Sequence, residues 1–474
     1  MFLLAGLSAM AQWELQGSEI FGAENLGDRF GSTIAMSANG LRMVVGTNDS
    51  AGDSEDFVKV YEFNGSDWVQ LGSTLETGIN TDFFGRSVAI NSAGDRIVVG
   101  ANNANSGDGM VRVYEYNGSD WNVLGSDIIR GVSGTRFGYD VAMDGIGFRI
   151  VVGAIFGGPA GTEAGEVSVY DFNGSDWELY LNRIQGDGSD LEFGRAVDIS
   201  NAGGIILAGT YADFPALGYV KAFQDTTIDW QQLGQTINEL EGNDRFGSAL
   251  ELSADGLTMV VGAPGNDATG GYLQVYELNS DTWQQVGDNL TNGSSTSNFY
   301  GSRLTMNNNA SLVAVGDLLT GSGGSGRVDF FLRDGDTWEL QDEFLAGTGD
   351  LDFFGYQLDF DASGRTIAIG RNNGLDSNGA VGVYNNVTIL NVPEASSPQV
   401  AVLPNPNQGQ FVVNMFNQEL PEQITMFNVL GHEVSLTQVL DNGNIKLATT
   451  SGSGIYYLQL TWLDKTITKK IVIR

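Results

Sequence analysis

The sequence predicts an all-β protein: a seven-bladed β-propeller of four-stranded blades, followed by a small C-terminal β-sandwich. Three observations lead to this prediction: an aromatic-glycine pair that returns seven times, four strand-like segments in each repeat, and one tryptophan-led segment per repeat. The chain has 474 residues, of which 66 are glycine and none is cysteine. No stretch keeps a 3.6-residue apolar period, so no substantial helix is expected.

The aromatic-glycine pairs define the repeat. They recur every 53 to 56 residues, at Phe30-Gly31, Phe84-Gly85, Phe137-Gly138, Phe193-Gly194, Phe246-Gly247, Tyr300-Gly301 and Phe354-Gly355. The second repeat shows the four segments, FGRSVAI (84–90), RIVVGA (96–101), VRVYEY (111–116) and WNVLG (121–125). Each is short, rich in β-branched or aromatic residues, and bounded by turn residues, as strands are. Asn-Gly pairs between the third and fourth segments favour tight hairpin turns. Each repeat is therefore predicted to be one antiparallel blade.

The tryptophan-led segments are offset from the repeats. They begin at Trp13, Trp68, Trp121, Trp177, Trp230, Trp283 and Trp338. The first precedes every aromatic-glycine pair, and the last repeat ends at Tyr384 without one. We therefore predict that the strand at Trp13 completes the last blade and closes a propeller spanning residues 12–386, which removes two exposed sheet edges. One tryptophan per blade at a fixed register favours packing over ligand stacking.

The repeats resemble the FG-GAP repeats of integrin α-chain propellers and their bacterial relatives, most closely at VVGAP (260–264). Many FG-GAP repeats carry a calcium loop between the first and second strands. Here those links are short and lack three alternating carboxylates, so the resemblance implies no cofactor at that place. Calcium in the loops after the second strand stays open, because Asn and Asp are common in turns as well as in metal sites. The residues concerned are Asn48, Asp49, Asp53, Asn102, Asn103, Asp108, Asn266, Asp267 and Asp376.

Charge and composition exclude several classes of function. The formal net charge is −35, and because residues 400–474 are neutral, all of it falls on residues 1–399. Such an acidic protein is not expected to bind nucleic acid, since it cannot neutralise phosphates. The absence of cysteine excludes thiolate metal sites and a thiol nucleophile, and a single histidine excludes mechanisms that need two imidazoles. No stretch is apolar enough for a transmembrane helix.

Both ends of the chain carry export signals. Residues 1–11 include a short apolar run and Ala9-Met10-Ala11, which we interpret as the remnant of a signal peptide; an apolar N-terminal strand is the alternative. Residues 387–399 are predicted to be a linker. Residues 400–474, with PNPNQG, NVLGHEV, GIYYL and a basic end, resemble the type A C-terminal sorting domain of the type IX secretion system. The resemblance implies recognition by that secretion machinery and a secreted or outer-membrane cell-surface location.

Two functions remain open for the propeller. The first is a non-catalytic binding or adhesion module with an extracellular glycan or protein ligand, because rigid strands carrying dissimilar loops are the usual layout of a binding surface. The alternative is a secreted glycan-active enzyme, a hydrolase or lyase that uses a pair of propeller carboxylates. A Ser-His-Asp triad is excluded, because the propeller contains no histidine.

Six arginines mark a candidate ligand site. Each lies within three residues of the aromatic of its repeat, on the strand predicted to be innermost: Arg29, Arg86, Arg136, Arg195, Arg245 and Arg303. Arginines facing the central channel could bind an anionic group such as the carboxylate of an acidic glycan. The alternative is internal ion pairing with neighbouring acids, of which Asp28, Asp82, Asp140, Asp198 and Asp244 are candidates. Side-chain alternation also predicts that not all six face one cavity.

The sorting-domain resemblance predicts where a truncated chain will be found. A chain that ends at Val387 should fold but remain in the periplasm, whereas the full chain should reach the medium or the cell surface. Cell fractionation with a periplasmic marker measures this. Truncated protein in the medium without lysis would mean that residues 400–474 are not the export signal.

Overall fold

Seven antiparallel sheets and a separate pair of sheets make up the described chain. The computed structural model describes residues 13–22, 29–47, 56–79, 81–158, 164–188, 191–211, 217–238, 244–265, 270–293, 299–320, 323–372 and 379–387, and then 401–403, 410–414, 421, 423–428, 433–441, 444–449, 452, 454–461 and 466–473. The chain divides into two compact units at Ile389 and Leu390. The proposed signal remnant and nearly all of the proposed linker lie outside the described residues.

The first strands of the chain, β1 (Trp13–Leu15) and β2 (Ile20–Phe21), pair with the last blade, and the other strands follow in chain order. Blade 1 contains β3 (Thr33–Met36), β4 (Arg42–Gly46), β5 (Phe57–Phe63), β6 (Trp68–Gln70) and β7 (Leu75–Glu76). Blade 2 contains β8 (Phe84–Ile90), β9 (Arg96–Ala101), β10 (Met110–Tyr116) and β11 (Trp121–Val123), with a single helical turn, α1 (Ala104–Gly107), after β9. Blade 3 contains β12 (Phe137–Met143), β13 (Arg149–Ala154), β14 (Glu166–Phe172), β15 (Trp177–Leu179) and β16 (Ile184–Gln185).

The remaining blades follow the same order. Blade 4 contains β17 (Ala196–Ile199), β18 (Ile205–Gly209), β19 (Tyr219–Asp225) and β20 (Trp230–Asn238). Blade 5 contains β21 (Ala249–Leu252), β22 (Thr258–Ala263), β23 (Tyr272–Asn279) and β24 (Thr282–Gln285). Blade 6 contains β25 (Leu304–Met306), β26 (Leu312–Asp317), β27 (Arg327–Asp334), β28 (Thr337–Leu340) and β29 (Leu345–Ala346). Blade 7 contains β30 (Phe354–Phe360), β31 (Thr366–Arg371) and β32 (Ala380–Asn386), and β1 is its outermost strand. The all-β, seven-bladed prediction is confirmed.

The C-terminal unit consists of two four-stranded antiparallel sheets. One has the order β33 (Ala401–Leu403), β34 (Gln410–Asn414), β38 (Asn444–Ala448) and β37 (Thr437–Asp441). The other has the order β36 (Glu433–Val434), β35 (Gln423–Asn428), β39 (Gly454–Thr461) and β40 (Thr466–Ile473). Val413 and Leu447 of the first sheet share one buried apolar cluster with Met426 and Leu458 of the second. Two sheets that face each other across a common core form a small β-sandwich.

The recurring glycines allow neighbouring blades to approach each other closely. The glycine that ends each second strand lies against the backbone of the aromatic-glycine pair in the next blade. A Cβ atom added at Gly153 would lie 2.0 Å from the Gly194 oxygen, and one at Gly262 would lie 1.9 Å from the Gly301 oxygen. Real side chains do not tolerate such distances. The glycine near the end of the second strand and the glycine of the aromatic-glycine pair in the next blade are therefore both required by this contact between blades. The aromatic residue of the aromatic-glycine pair is almost fully buried in every blade.

A circular chain of backbone hydrogen bonds joins the turns between the first and second strands. In each blade one turn residue donates its N–H to the carbonyl of the equivalent residue in the next blade, at 2.9–3.2 Å. The donors, in ring order, are Ala38, Ser92, Gly145, Asn201, Ala254, Asn308 and Ala362, and Ala362 donates back to Ala38. We call this ring the turn belt. It links blade 7 to blade 1 as it links every other pair.

The outer wall of the ring is closed by the N-terminal strand. β1 pairs antiparallel with β32, with Trp13 opposite Asn386 and Leu15 opposite Tyr384. Trp13 is only 8% exposed, and its ring stacks on Phe330 of blade 6 at a centroid distance of 4.6 Å. The other tryptophans lie at the same register, and four of them donate their indole N–H to the preceding outer strand, as Trp121 does to Leu71 at 2.9 Å. Four of the tryptophans, Trp68, Trp121, Trp177 and Trp283, therefore bind their blade to the preceding one by a hydrogen bond, whereas the indole N–H groups of Trp230 and Trp338 have no partner among the described residues.

Replacing Trp13 tests how much this closure contributes. Trp13→Ala removes the buried ring from the junction of blades 6 and 7, and the free energy of unfolding should fall by about 3–5 kcal/mol. Its neighbour Glu14 is exposed on the same strand, so Glu14→Ala should change stability by less than ~0.5 kcal/mol. Calorimetric or denaturant unfolding of the two variants measures the difference. Equal effects would show that the strand closes the ring without its tryptophan contributing.

Candidate functional site

The innermost strand of every blade contributes to the central channel. The second residue after the aromatic lines one cavity of about 450 Å³ in all seven blades: Ser32, Arg86, Tyr139, Arg195, Ser248, Ser302 and Tyr356. The third residue lines it as well, as Asp140 and Arg303 do. Two successive residues can face one side because the inner strands bulge after the aromatic, for example between Phe84 and Ser87. We call this cavity the cationic chamber.

The structure brings four of the six candidate arginines into the cationic chamber, namely Arg86, Arg195, Arg245 and Arg303. Arg29 and Arg136 are not among its lining residues. Arg136 instead donates to the Asn103 side chain in the loop after β9. Both residues directly precede their aromatic and have a left-handed backbone, with φ of 50° and 58°, but Arg245 shares these two features and still lines the chamber. The prediction that not all six arginines face one cavity therefore agrees with their placement.

Arginine and tyrosine side chains alternate around one side of the chamber. Arg86 lies over the Tyr139 ring at 4.3 Å, and Arg195 lies over the Tyr211 ring at 4.3 Å. Arg195 also lies 4.9 Å from the Tyr139 ring, and Arg245 lies 5.3 Å from the Tyr211 ring. Across the chamber Arg303 lies over Tyr356 at 5.0 Å. Stacking on a ring face holds each guanidinium plane and leaves its N–H edges able to donate.

The chamber has an excess of positive charge. Among the residues that line it, Asp140 is the single carboxylate against four arginines. Burial would raise the pKa of Tyr356, but the Arg303 guanidinium and the charge of Arg86 hold that pKa below its ordinary value. Burial raises the pKa of Asp140, so this carboxyl group is less able to balance the charge of the arginines. The local field is therefore opposite in sign to the net charge of the protein.

The four arginines differ in how fully they are already engaged. Arg195 forms an ion pair with Glu192 at 2.6 Å. Arg303 donates to the backbone carbonyls of Tyr356 and Ser302 at 2.7 and 2.9 Å. Arg86 forms no ion pair with any carboxylate in the described parts of the chain, and Asp140 acts on it only at longer range. Of the acids considered as internal partners, Asp198 binds backbone N–H groups, and Asp28 lies outside the described residues.

A second cavity of about 140 Å³ lies further along the same inner strands and shares no lining residue with the first. Its acidic residues are Asp198, Glu251 and Asp359, so we call it the acidic chamber. Each carboxylate accepts a backbone N–H from the next blade: Leu252 at 2.7 Å, Met306 at 3.0 Å and Met36 at 2.6 Å, respectively. Burial raises the pKa of Asp198 and of Asp359 to about 7, and burial together with Asp359 raises that of Glu251.

The calcium hypothesis can be examined for part of the chain. No group of three or more acidic or histidine side chains is arranged to hold a metal ion within the described residues. Asn103 is engaged with Arg136 and with the Thr81 carbonyl. Asn48, Asp49, Asp53, Asn266, Asp267 and Asp376 lie outside the described residues.

Comparison with known proteins identifies the C-terminal unit. Residues 401–474 match the family model of the secretion system C-terminal sorting domain. A search of curated proteins found no match to the chain. The molecule is thus a β-propeller exported by the type IX secretion system, and it is secreted or displayed at the cell surface. Where the structure describes the chain, no helix is both long and apolar enough to cross a membrane.

Sequence reasoning missed the aromatic half of the site. Tyr139 and Tyr211 were not singled out, although they separate the arginines of the chamber. Tyr139 could have been found by aligning the seven repeats on their aromatic and comparing the second residue after it. Tyr211 follows a second strand, and no repeated motif marks it, so only the fold brings it to the channel.

The acidic chamber predicts an unusual pH dependence. Asp198 has an ordinary pKa of 3.8 that rises to about 7 on folding. Between those values the folded state keeps a proton that the unfolded state has lost, so this contribution to stability is lost as the pH rises towards 7. The substitution Asp198→Asn removes this pH-dependent contribution to stability. The melting temperature of the variant should therefore improve relative to wild type between pH 5 and pH 8.

Asp281→Asn is the matched control, because Asp281 is an exposed carboxylate of the same propeller. It changes the net charge equally and should shift the melting temperature by a nearly constant amount over that range. Thermal scans at several pH values measure both variants. Parallel profiles for Asp198→Asn and wild type would show that Asp198 is ionised throughout.

Proposed function

We propose that the propeller is a non-catalytic extracellular binding module and that the cationic chamber takes an anionic group of its ligand. The observation that carries this proposal is the convergence of four arginines on one cavity in a protein whose formal charge is −35. Arginines distributed by chance over an acidic surface would be scattered among carboxylates. Here four of them share a cavity with one carboxylate.

Four like charges in one cavity repel each other, and an anion relieves that repulsion. Arg195 is neutralised by Glu192, whereas Arg303 has backbone carbonyls as acceptors. Hydrogen bonds between a guanidinium and an oxyanion are about twice as strong as neutral ones. A cavity of about 450 Å³ lies within the usual range of sites for small molecules. The chamber therefore suits a small anion or one residue of a larger ligand.

The ring layout supports binding at this place. The seven blades share their packing residues but differ at the second position after the aromatic, where Ser, Arg and Tyr occur. A rigid ring that presents different side chains at one register is a suitable scaffold for recognition. The likeness to FG-GAP propellers and a role in adhesion belong to the same proposal.

A glycan-active enzyme is the competing class, and the chamber favours it less. Hydrolysis by two carboxylates needs a flanking pair. Only Asp140 supplies a carboxylate among the lining residues described, and its oxygens accept from the Ser87 hydroxyl at 2.7 Å and the Val197 N–H at 2.9 Å. The carboxylates of the acidic chamber are likewise bound to neighbouring blades.

The test measures binding and turnover together. The full chain is titrated with polygalacturonate and alginate as acidic polysaccharides and with a neutral galactan. We expect binding of at least one acidic polysaccharide and no release of reducing ends or unsaturated products. The double variant Arg195→Ala/Arg303→Ala should weaken binding about tenfold or more, since hydrogen bonds to charged groups contribute ~1.5–3 kcal/mol.

The matched control is Arg29→Ala/Arg136→Ala, which removes the same charge at the starts of the inner strands of two other blades, outside the chamber. It should leave the affinity within about twofold of wild type. Equal loss in both double variants would show that net charge, and not the chamber, governs binding. Product release by wild type would instead establish the enzyme.

A further inference from the structure

We propose that the ligand residue held in the cationic chamber is a carboxylated sugar, a uronic acid, and that Arg86 anchors its carboxylate. This rests on the proposed function and narrows it to one ligand chemistry and one anchoring residue. Three features of the chamber carry the inference: the state of Arg86, an unpaired serine hydroxyl, and apolar side chains of blades 5 and 6 in the lining.

Arg86 is the arginine best prepared to bind an external anion. Its guanidinium is held against the Tyr139 ring at 4.3 Å, so its plane is fixed while its edge stays available. In contrast to Arg195, it has no ion pair with a described carboxylate. Its charge nevertheless reaches blade 7, where it contributes to the lowered pKa of Tyr356. A planar fork fixed in this way matches the two oxygens of a carboxylate.

Ser248 presents a polar group that lacks a partner. Three blades carry serine at the second position after the aromatic. Ser32 and Ser302 each donate to the carbonyl three residues earlier, at 2.6 Å. The Ser248 hydroxyl oxygen is buried and has no hydrogen-bond partner in the described structure, although the residue lines the chamber. A buried hydroxyl without a partner is costly, and a ligand hydroxyl can supply what is missing.

Apolar side chains of blades 5 and 6 also line the chamber. These are Pro264, Phe299 and Leu318, and Phe299 is 41% exposed. Ser248 belongs to blade 5, three blades from Arg86, so the two residues lie on different sides of the channel. A ligand that contacts both residues needs an anionic group for Arg86 and a hydroxyl for Ser248. It must also offer an apolar face.

A uronic acid combines these three features in one residue. Its carboxylate suits Arg86, its ring hydroxyls suit Ser248, and the C–H face of its ring suits Phe299. A phosphate or sulfate ester can pair with the same fork, so a sulfated sugar is included as a competitor in the test. A neutral sugar would leave Arg86 without a carboxylate partner among the described residues.

The experiment compares ligands that differ in one group. The full chain is titrated calorimetrically with trisaccharides of galacturonate, mannuronate and guluronate, with the methyl ester of the galacturonate trisaccharide, and with a galactose trisaccharide sulfated at position 6. At least one uronate should bind, and for galacturonate the methyl ester should bind about tenfold or more weakly. Equal binding of the ester or of the sulfated sugar would overturn the choice of a carboxylate.

The variants test the anchor. Arg86→Ala should weaken uronate binding about 10- to 100-fold, and Arg86→Lys should weaken it less because the charge remains without the fork. Ser248→Ala should weaken binding several-fold and leave the ratio of uronate to ester unchanged. Arg136→Ala, outside the chamber, is the control and should bind like wild type.

Melting temperatures are recorded for every variant, and Arg86→Lys replaces Arg86→Ala if the latter does not fold. Wild-type affinity in both Arg86 variants, with uronate still bound, would overturn the anchor and leave the proposed function standing. If wild type binds acidic polysaccharides but none of the uronate trisaccharides, the ligand class proposed here is wrong. Absence of binding to any acidic saccharide would overturn the proposed function itself.

Discussion

The innermost strand of each blade has an edge with no strand beside it, and satisfying that edge is the constraint on which the rest of the propeller depends. An unpaired backbone N–H in the interior costs as much as a lost hydrogen bond. The next blade cannot add a strand there, because the blades radiate from the axis. Six of the seven inner strands instead offer a side-chain oxygen to an N–H of the following blade, as Ser87 does to Val141 and Thr305 to Phe360. The seventh junction uses the Thr33 hydroxyl, which donates to the Gly85 carbonyl. The turn belt adds a backbone hydrogen bond at every junction.

This constraint explains why carboxylates accumulate in the channel of a protein that gains no stability from burying charge. Asp198, Glu251 and Asp359 occupy the bridging position in their blades, and each accepts a backbone N–H from the next blade. The cost of burial appears as raised pKa values in the acidic chamber. At the outer wall, a carboxylate that accepts backbone N–H groups has a lowered pKa instead. There the N–H groups of Ser18 and Trp68 donate to Asp67, which is only partly buried, and they lower its pKa.

The cationic chamber is lined both by residues that bridge to the next blade, namely Thr33, Ser87 and Asp140, and by residues that do not. Positions that hold the ring together are restricted to short oxygen-bearing side chains, whereas the second residue after the aromatic carries no such duty. That freedom permits arginine in two blades, tyrosine in two and serine in three. In a chain of net charge −35, this cavity is a local exception, because its lining residues include four arginines and one carboxylate. Surface charges are screened beyond about 8 Å at physiological salt, whereas charges inside the cavity are screened less.

The sequence by itself determined the blade count, the four strands per blade and the chain segment that carries the sorting signal. It could do so because these depend on local patterns that recur: the aromatic-glycine pair, the tight turns and the offset tryptophans. It also identified the arginines of the inner strands, because each lies within three residues of the aromatic of its repeat. Only the tertiary structure decided which of them meet. A bulge after Phe84 turns Arg86 into the channel, while Arg136 leaves it for Asn103. Tyr211 contacts Arg195 from the segment after the second strand of its blade, and not from the inner strand. Closure of the ring determines which of these side chains become neighbours. Local sequence patterns do not show contacts between residues that lie far apart in the chain.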